Sequence, residues 1–226
     1  MPSRRPGLQE MWNRVFDSLE AIIPIYEKGS RRISLFADSS MREKAVAFAV
    51  RDHELVLDLG SGPGTMARLV IAKGGTAVLL DASRKMLKGA LGRHMVQAVF
   101  EHLPFRDGAF ESVVAGFSLR DSRDLGLALN EIRRSMKADG RFGFCDLGKP
   151  DGFAEAVLVG FYIRVAAPVL GAMTGGRAGL GFGSLYETYL LTLPNRLLSR
   201  SLNAYFSRVD LEAKDLGASI VVFCST

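Results

Sequence analysis

The feature that most constrains the fold is a short apolar run that leads directly into a glycine-rich turn. Residues 56–70 are VLDLGSGPGTMARLV, with Asp58 inside the run and glycines at positions 60, 62 and 64. The run predicts a buried strand, and the residues after the turn have the apolar spacing of a helix. Strand–turn–helix units of this kind are typical of parallel sheets that bind ligands beyond the carboxyl ends of their strands.

The remainder of the chain alternates in the same way, which predicts an α/β fold. Further strands are expected at four segments, residues 76–81, 95–100, 111–117 and 141–147, with helices between them. The helix before the last of these strands is expected to end near Gly140, because glycine is a typical helix stop. This alternation implies a Rossmann-like, mostly parallel sheet with helices on both faces. Two last strands, within residues 206–216 and 218–226, are joined tightly through Gly217 and should form an antiparallel C-terminal edge of a seven-stranded sheet.

Helical segments at two places extend this pattern within one domain of residues 1–226. Residues 1–50 show helical spacing with Pro24 as a break, and a second helix is predicted to begin near Ser40, which has capping-box spacing to the glutamate three residues later. We interpret residues 1–50 as an N-terminal helical cap. Residues 151–205 contain two apolar helical segments around a linker with six glycines. They are expected to form a helical insertion, or lid, over an acceptor substrate.

Composition restricts the classes of function. The net charge of +5 favours anionic partners such as membrane surfaces, although it also fits ordinary solubility. The sequence has no stripe of interleaved basic and aromatic residues, so it does not indicate nucleic-acid binding. The two cysteines and three histidines are not clustered, so no metal site is predicted, and a reducing cytoplasm fits. Residues 153–173 are strongly apolar but include Glu155, Arg164 and Pro168, which favours a buried or lipid-facing helix over a membrane span.

The glycine turn fits two ligands, a dinucleotide or S-adenosylmethionine. The dinucleotide pattern requires a third glycine at position 65, where this chain has Thr65. A fixed carboxylate at Asp58 would repel a pyrophosphate but attract the ammonium group of a methionine moiety. Asp81, at the end of the second strand, could accept hydrogen bonds from ribose hydroxyls in either ligand. The spacing therefore favours the cationic ligand.

Several motifs, taken in order, resemble the class I S-adenosylmethionine-dependent methyltransferases, and more narrowly the ubiquinone/menaquinone biosynthesis C-methyltransferase family. They are VLDLGSGPG, LLDASRKML, EHLPFRDGAFESVVAGFSLRD, ALNEIRRSMKADGRFGFCDLGKP and FYIRVAAPVLG. The resemblance extends from about Trp12 to the end of the chain. It implies a class I methyltransferase fold, with S-adenosylmethionine as the cofactor and a prenylated quinol such as demethylmenaquinol as the acceptor.

The resemblance also assigns site residues. The cofactor-binding set is Asp58, Gly60, Ser61, Gly62, Gly64, Asp81, Ala82, Met86, Phe100 and Phe117. Arg120 and Asp121 follow the fourth strand and are expected to carry the chemistry. Arginine stays protonated, so Arg120 could stabilise a phenolate, hold a water that accepts the proton, or simply form a buried salt bridge with a helix carboxylate. Asp121 or His102 is a candidate base. Phe161, Tyr162, Tyr186 and Tyr189 could line a tunnel for an isoprenoid tail or simply pack in a core.

Two departures from the family pattern affect these expectations. The family usually has Gly-Asp-Ala before the LPF motif, with an aspartate that contacts adenine, whereas this chain has Ala98, Val99 and Phe100. The family also usually has an asparagine after the arginine that corresponds to Arg120, and this chain has Asp121 there. Three alternatives therefore remain: methylation of another small phenol or lipid, a catalytically silent cofactor-binding module, and a dinucleotide oxidoreductase. Peripheral membrane contact and a homodimer are also left open.

Overall fold

The computed structural model describes residues 6–90 and 94–226, and within them the chain forms one seven-stranded sheet. The strands are β1 Leu55–Leu59, β2 Thr76–Asp81, β3 His94–Gln97, β4 Phe110–Gly116, β5 Met136–Leu147, β6 Arg208–Lys214 and β7 Ser219–Ser225. Their order is β3-β2-β1-β4-β5-β7-β6. The first five strands are parallel, and β7 is antiparallel to both β5 and β6. The predicted fold is confirmed, with β7 as the antiparallel strand and β6 outside it at the edge.

Helices cover both faces of the sheet because successive strand residues point in opposite directions. The helices are α1 Pro6–Ala21, α2 Tyr26–Ile33, α3 Asp38–Ala49, α4 Thr65–Ala72, α5 Arg84–Lys88, α6 Leu125–Ser135, α7 Phe153–Gly175, α8 Ser184–Leu191 and α9 Asn195–Leu202. Val56 packs with α3 and α4 on one face, whereas Leu57 packs with α6 and α9 on the other.

Two expected helix boundaries are wrong. The second N-terminal helix, α3, begins at Asp38, and the Ser40 hydroxyl donates to the carbonyl of Ala37 at 3.0 Å. Ser40 therefore lies inside the helix and is not its cap. Helix α6 ends at Ser135, well before Gly140, because Met136 already pairs with Phe110 of β4 as the first residue of β5.

The N-terminal helices and the segment after β5 pack on one another beside the carboxyl ends of the strands. Pro24 lies in a short 3-10 turn, Ile23–Ile25, between α1 and α2. Ile22 and Ile33 form an apolar cluster with Ala167 of α7 and with Phe182, which lies in the 3-10 segment Gly176–Gly183. The run Phe153–Leu191 is long and apolar enough to cross a membrane. Here it folds back on itself, since Gly171 and Gly179 are in direct contact.

Candidate functional site

The turn after β1 has a backbone shape that only glycine adopts easily. Gly60, Gly62 and Gly64 have φ values of +64°, +52° and +84°, and the amides of Gly60 and Ser61 donate to the carbonyl of Leu80 at 2.8 and 3.0 Å. A Cβ at Gly60 would lie 2.4 Å from the Cβ of Ser118. The first glycine therefore lets the turn lie against the chain that follows β4.

Asp58 lies below this turn and is fully buried. Its Oδ2 accepts a hydrogen bond from the amide of Ala67 at 2.9 Å, and its Oδ1 has no partner among the described residues. Burial raises the pKa of Asp58 to about 7, although the positive charge of Arg42 and the Ala67 hydrogen bond act in the opposite direction. The carboxyl group is therefore close to its titration point at neutral pH and has one oxygen available.

Asp81 stabilises the same turn from the end of β2. Its Oδ2 accepts from the amide of Gly62 at 2.9 Å, and its Oδ1 accepts from the amide of Ser83 at 2.8 Å. Burial raises the pKa of Asp81, while these two hydrogen bonds lower it. The hydroxyl of Ser83 donates to Glu20 of α1 at 2.7 Å, so the N-terminal helix is attached to the loop after β2.

One cavity brings most of the predicted site residues together. Its lining includes Gly60, Ser61, Gly62, Asp81, Ala82, Met86, Phe100, Phe117 and Asp121. Val99 lies there as well, in the place where the family pattern has an acid. Asp58 is buried beneath this lining, and Gly64 precedes the first turn of α4. The hydroxyl of Ser61 is buried, and within the described part of the chain it neither donates nor accepts a hydrogen bond.

Arg42 of α3 adds a buried cation to this cavity. It is 5% exposed, and its Nη1 donates to the carbonyl of Gly116 at 3.3 Å. Its guanidinium carbon lies 4.9 Å from the centre of the Phe117 ring. Phe117 is held there by a left-handed backbone, with φ of +60°, and by an amide hydrogen bond to Cys145 at 2.7 Å. The Nε of Arg42 has no partner among residues 6–90 and 94–226.

Arg120 faces a different cavity from most of the cofactor residues. Its guanidinium is 4% exposed, pairs with Asp146 at the end of β5, and donates to the carbonyl of Phe117 at 2.7 Å. Asp121 lies 3.6 Å from its Nε. Burial alone would lower the pKa of Arg120, but the charges of Asp121 and Asp146 outweigh it and raise the pKa. For the acidic Asp121, burial acts in the other direction and raises the pKa to about 6.

The cavity that Arg120 shares with Phe117 and Tyr162 is a largely apolar space of about 430 Å³, and Arg120 also lines a further cavity beside Asp146. Ile22, Leu147, Val159, Ile163, Phe182 and Leu185 are among its lining residues, and its polar members include Tyr26, Asp38, Arg120 and Tyr162. Asp38 is 6% exposed, and its Oδ1 has no hydrogen-bond partner in the described chain. Leu19, Tyr26 and Phe117 line both cavities, so the two spaces share a wall.

Some predicted residues lie elsewhere. His102 is exposed and lies outside the linings of both cavities, which favours Asp121 of the two candidate bases. Phe161 points outward with 63% of its surface exposed. The Tyr189 hydroxyl donates to Ala156 at 2.8 Å, and the ring of Tyr186 lies under the Arg164 guanidinium. Of the four aromatic residues predicted for the tunnel, Tyr162 lines the apolar cavity.

Four polar residues of the site were not predicted from the sequence, three that line these cavities and Asp146, which pairs with Arg120. Asp146 is the last residue but one of β5, as Asp58 is of β1, and Asp81 is the last residue of β2, so the rule about strand ends could have found it. Tyr26, Asp38 and Arg42 come from α2 and α3, far from the motifs in sequence. Only the packing of α2 and α3 brings them to the site.

Comparisons with known proteins agree with this geometry. The methyltransferase domain family matches residues 57–144. A demethylmenaquinone methyltransferase from Streptomyces griseus is 30% identical over 73% of this chain and 74% of its own length. A ubiquinone/menaquinone biosynthesis C-methyltransferase from Geotalea uraniireducens is 28% identical over 74% of this chain and 77% of its own. The solved structure of a SAM-dependent methyltransferase from Thermotoga maritima matches the fold with a TM-score of 0.66, at 16% identity, over 93% of this chain and 99% of that one.

Proposed function

Since this chain belongs to the ubiquinone/menaquinone biosynthesis C-methyltransferase family, we propose that it methylates a ring carbon of a prenylated quinol of the demethylmenaquinol type. Membership makes it an S-adenosylmethionine-dependent methyltransferase, and the choice of that cofactor over a dinucleotide is confirmed. The observation that carries the acceptor proposal is the apolar cavity, which shares a wall with the cofactor cavity and contains the buried Arg120.

The residues around the glycine turn fit the cofactor. Asp58, Arg42 and Ser61 each have a buried polar atom that lacks a partner among the described residues. A zwitterionic amino-acid group matches this set, because its ammonium would pair with Asp58 and its carboxylate with Arg42. Asp81 would accept from the ribose hydroxyls, while Val99 and Phe100 would pack against adenine. Gly60, Gly62 and Gly64 let the backbone approach closely, and Ala82, Met86 and Phe117 complete the walls.

S-adenosylmethionine supplies an activated methyl group, so this chain has mainly to orient the acceptor and exclude water. A phenol has a pKa of about 10 and must lose its proton before the adjacent ring carbon becomes a good nucleophile. After that carbon has taken the methyl group from the sulfur, its ring hydrogen must leave as a proton to restore the aromatic ring. Arg120 would stabilise the resulting phenolate through its fixed positive charge. Asp146 and the carbonyl of Phe117 hold the guanidinium in place, so it does not reorganise during the reaction.

Asp121 is our candidate for the group that accepts the phenol proton. Its pKa of about 6 leaves it mostly ionised at neutral pH, yet basic enough to take a proton. It lies in the lining of the cofactor cavity and against Arg120, which faces the acceptor cavity. A quinol carries two hydroxyl groups, and Asp38 offers a second buried carboxylate within the apolar cavity. Asp38 would hold the hydroxyl that does not react.

Residues 1–50 and 151–205 would act as the cap and the acceptor lid. Tyr26 lies in α2 and Tyr162 in α7, and both line the apolar cavity. The hydroxyl of Tyr162 donates to the carbonyl of Ile33 at 2.9 Å, which ties the two segments together across the cavity wall. We place the enzyme in the cytoplasm with peripheral contact to the membrane, where a prenylated acceptor resides.

The direct test is incubation with methyl-labelled S-adenosylmethionine and chemically reduced demethylmenaquinone in detergent, followed by mass spectrometry. Transfer of the label to a ring carbon is expected. Asp121→Asn should slow the transfer, and His102→Ala, as the matched control outside both cavities, should not. Transfer to other phenols but to no prenylated quinol would refute the proposed acceptor and retain the methyltransferase. No transfer to any phenol, with S-adenosylhomocysteine still bound, would refute both the acceptor and the roles of Arg120 and Asp121.

A further inference from the structure

Helix α7 has an outer face that is unusually apolar for a helix exposed to water. Its inner side is buried at Val159, Ile163 and Ala167. Six apolar side chains that are 45–86% exposed recur at intervals of four residues, a spacing that winds around α7 opposite the equally spaced buried residues, and the exposed charged residues of α7 are Glu155 and Arg164. The six are Phe153, Val157, Phe161, Val165, Val169 and Met173. Surface helices normally carry polar residues on this side, and contiguous exposed apolar patches mark contact surfaces.

The entrance of the acceptor cavity adjoins this face. Leu35, Leu158 and Leu216 line the cavity and are 72%, 57% and 61% exposed. Leu158 lies on α7 itself, so it belongs both to the outer face and to the cavity rim. Leu35 and its neighbour Phe36 have φ values of +50° and +69°, and Leu216 has +58°. Such left-handed backbone is unfavourable for these residues, and here it holds large apolar side chains out in solvent.

A cluster of cations lies at the far end of the same face. Lys28, Arg31 and Arg32 surround a shallow site together with Phe36 and Met173. Arg32 donates to the hydroxyl of Thr174 at 3.0 Å, and the Arg31 guanidinium lies 5.9 Å from the centre of the Phe36 ring. Positive groups next to an apolar face match the surface of an anionic bilayer, where headgroups and acyl chains are also adjacent.

We propose that the outer face of α7, the three-leucine rim and the Lys28–Arg31–Arg32 cluster dock together on an anionic lipid bilayer. The cavity entrance would then open into the acyl layer, and an apolar acceptor would enter the cavity without crossing water. This inference rests on the proposed function, which supplies the lipid-soluble acceptor. A second copy of this chain fits the observations less well, because covering the outer face at Leu158 would also cover the entrance.

Vesicle flotation tests the surface directly. The wild-type protein should float with vesicles of phosphatidylcholine containing phosphatidylglycerol, and less with phosphatidylcholine alone or at high salt. Val165→Glu and Val169→Glu should each lower the vesicle partition constant by about tenfold, the ratio expected when one valine no longer leaves water. Ile71→Glu is the matched control, since Ile71 is an exposed apolar residue of α4, away from α7. Lys28→Glu should weaken binding, and Lys88→Glu on α5 should not.

Three further measurements distinguish loss of membrane docking from misfolding of the variant and from loss of a dimer. S-adenosylhomocysteine affinity should be unchanged in Val165→Glu, which shows that the variant folds. Labelled methyl transfer should fall only when the prenylated acceptor is presented in vesicles, and remain normal with a tail-free quinol in solution. Equal flotation of Val165→Glu and wild type would overturn the docking surface and leave the proposed reaction intact. A wild-type dimer that Val165→Glu converts to a monomer would also overturn it, because a second copy would then be the partner.

Discussion

The carboxyl group of Asp58 should make cofactor binding depend on pH near neutrality. It is fully buried, and burial raises its pKa to about 7 in the free protein. An ammonium group pairs with the carboxylate and not with the carboxylic acid. Binding should therefore strengthen as the pH rises through 7 and weaken as it falls, because proton loss from Asp58 must accompany binding at low pH.

The size of the effect follows from the fraction of Asp58 that is ionised. With a pKa of about 7, that fraction falls from about three quarters at pH 7.5 to about one tenth at pH 6. The dissociation constant of S-adenosylhomocysteine should rise about eightfold over this range, or by about 1 kcal/mol. The ligand's own ammonium group remains largely charged below pH 7.5, so it does not produce this slope.

Isothermal titration calorimetry with S-adenosylhomocysteine at several pH values measures this slope. Asp58→Asn should bind more weakly and show a nearly flat profile. Asp121→Asn is the matched control, since Asp121 also has a raised pKa, of about 6, but is not assigned to the ammonium group. Its profile should keep the wild-type slope. A flat wild-type profile, or the same slope in Asp58→Asn, would refute the assignment of Asp58.

Three other substitutions test separate parts of the site. Asp81→Ala should weaken S-adenosylhomocysteine binding by about 1.5–3 kcal/mol, the usual value of hydrogen bonds to a charged group, as measured by calorimetry. Arg120→Lys should keep that affinity but lower kcat by about a hundredfold, because a lysine loses the fixed guanidinium geometry. Gly60→Ala should lower the free energy of unfolding by about 2–4 kcal/mol in urea titrations, since its Cβ would meet Ser118 at 2.4 Å in a left-handed backbone.

Each of these predictions has a contrary result. Unchanged affinity in Asp81→Ala would remove Asp81 from the cofactor site. Loss of cofactor binding in Arg120→Lys would make Arg120 a structural residue. For Gly60→Ala the comparison is Gly108→Ala, where a positive φ is present but nothing lies within 4 Å of the new Cβ. Equal destabilisation of the two variants would show that backbone strain alone, and not contact with Ser118, limits position 60.

The parts of the fold and site that could be predicted are those encoded within one strand–turn–helix unit. Asp58, the glycines after it and Asp81 follow from apolar runs and the residues directly beyond them, because a parallel sheet puts such ends at one edge. The predicted ends of the helices were less accurate. The residues after Ser135 have a helical pattern, yet Met136 pairs with Phe110 as part of a strand, so the tertiary contact overrides the local preference.

The residues that could not be predicted reach the site through long-range packing. Arg42 lies within a helix that carries no motif, and only the docking of α3 on the sheet brings its guanidinium against Phe117. Asp38 reaches the apolar cavity through the tight turn between α2 and α3. The left-handed backbone of Phe117 is likewise invisible in the sequence, because an aromatic residue does not itself favour that conformation.

The attachment of the N-terminal helices has a consequence for synthesis. Two hydrogen bonds attach these helices to residues much later in the chain: Glu20 accepts from Ser83, and the carbonyl of Ile33 accepts from Tyr162, 129 residues downstream. At about 5–20 residues per second, that gap takes on the order of ten seconds to translate. During this interval the apolar sides of α1 and α2 leave the ribosome without the surface that will cover them. The segment made first is therefore among the last to reach its native place, and until then it is a natural ligand for chaperones on the nascent chain.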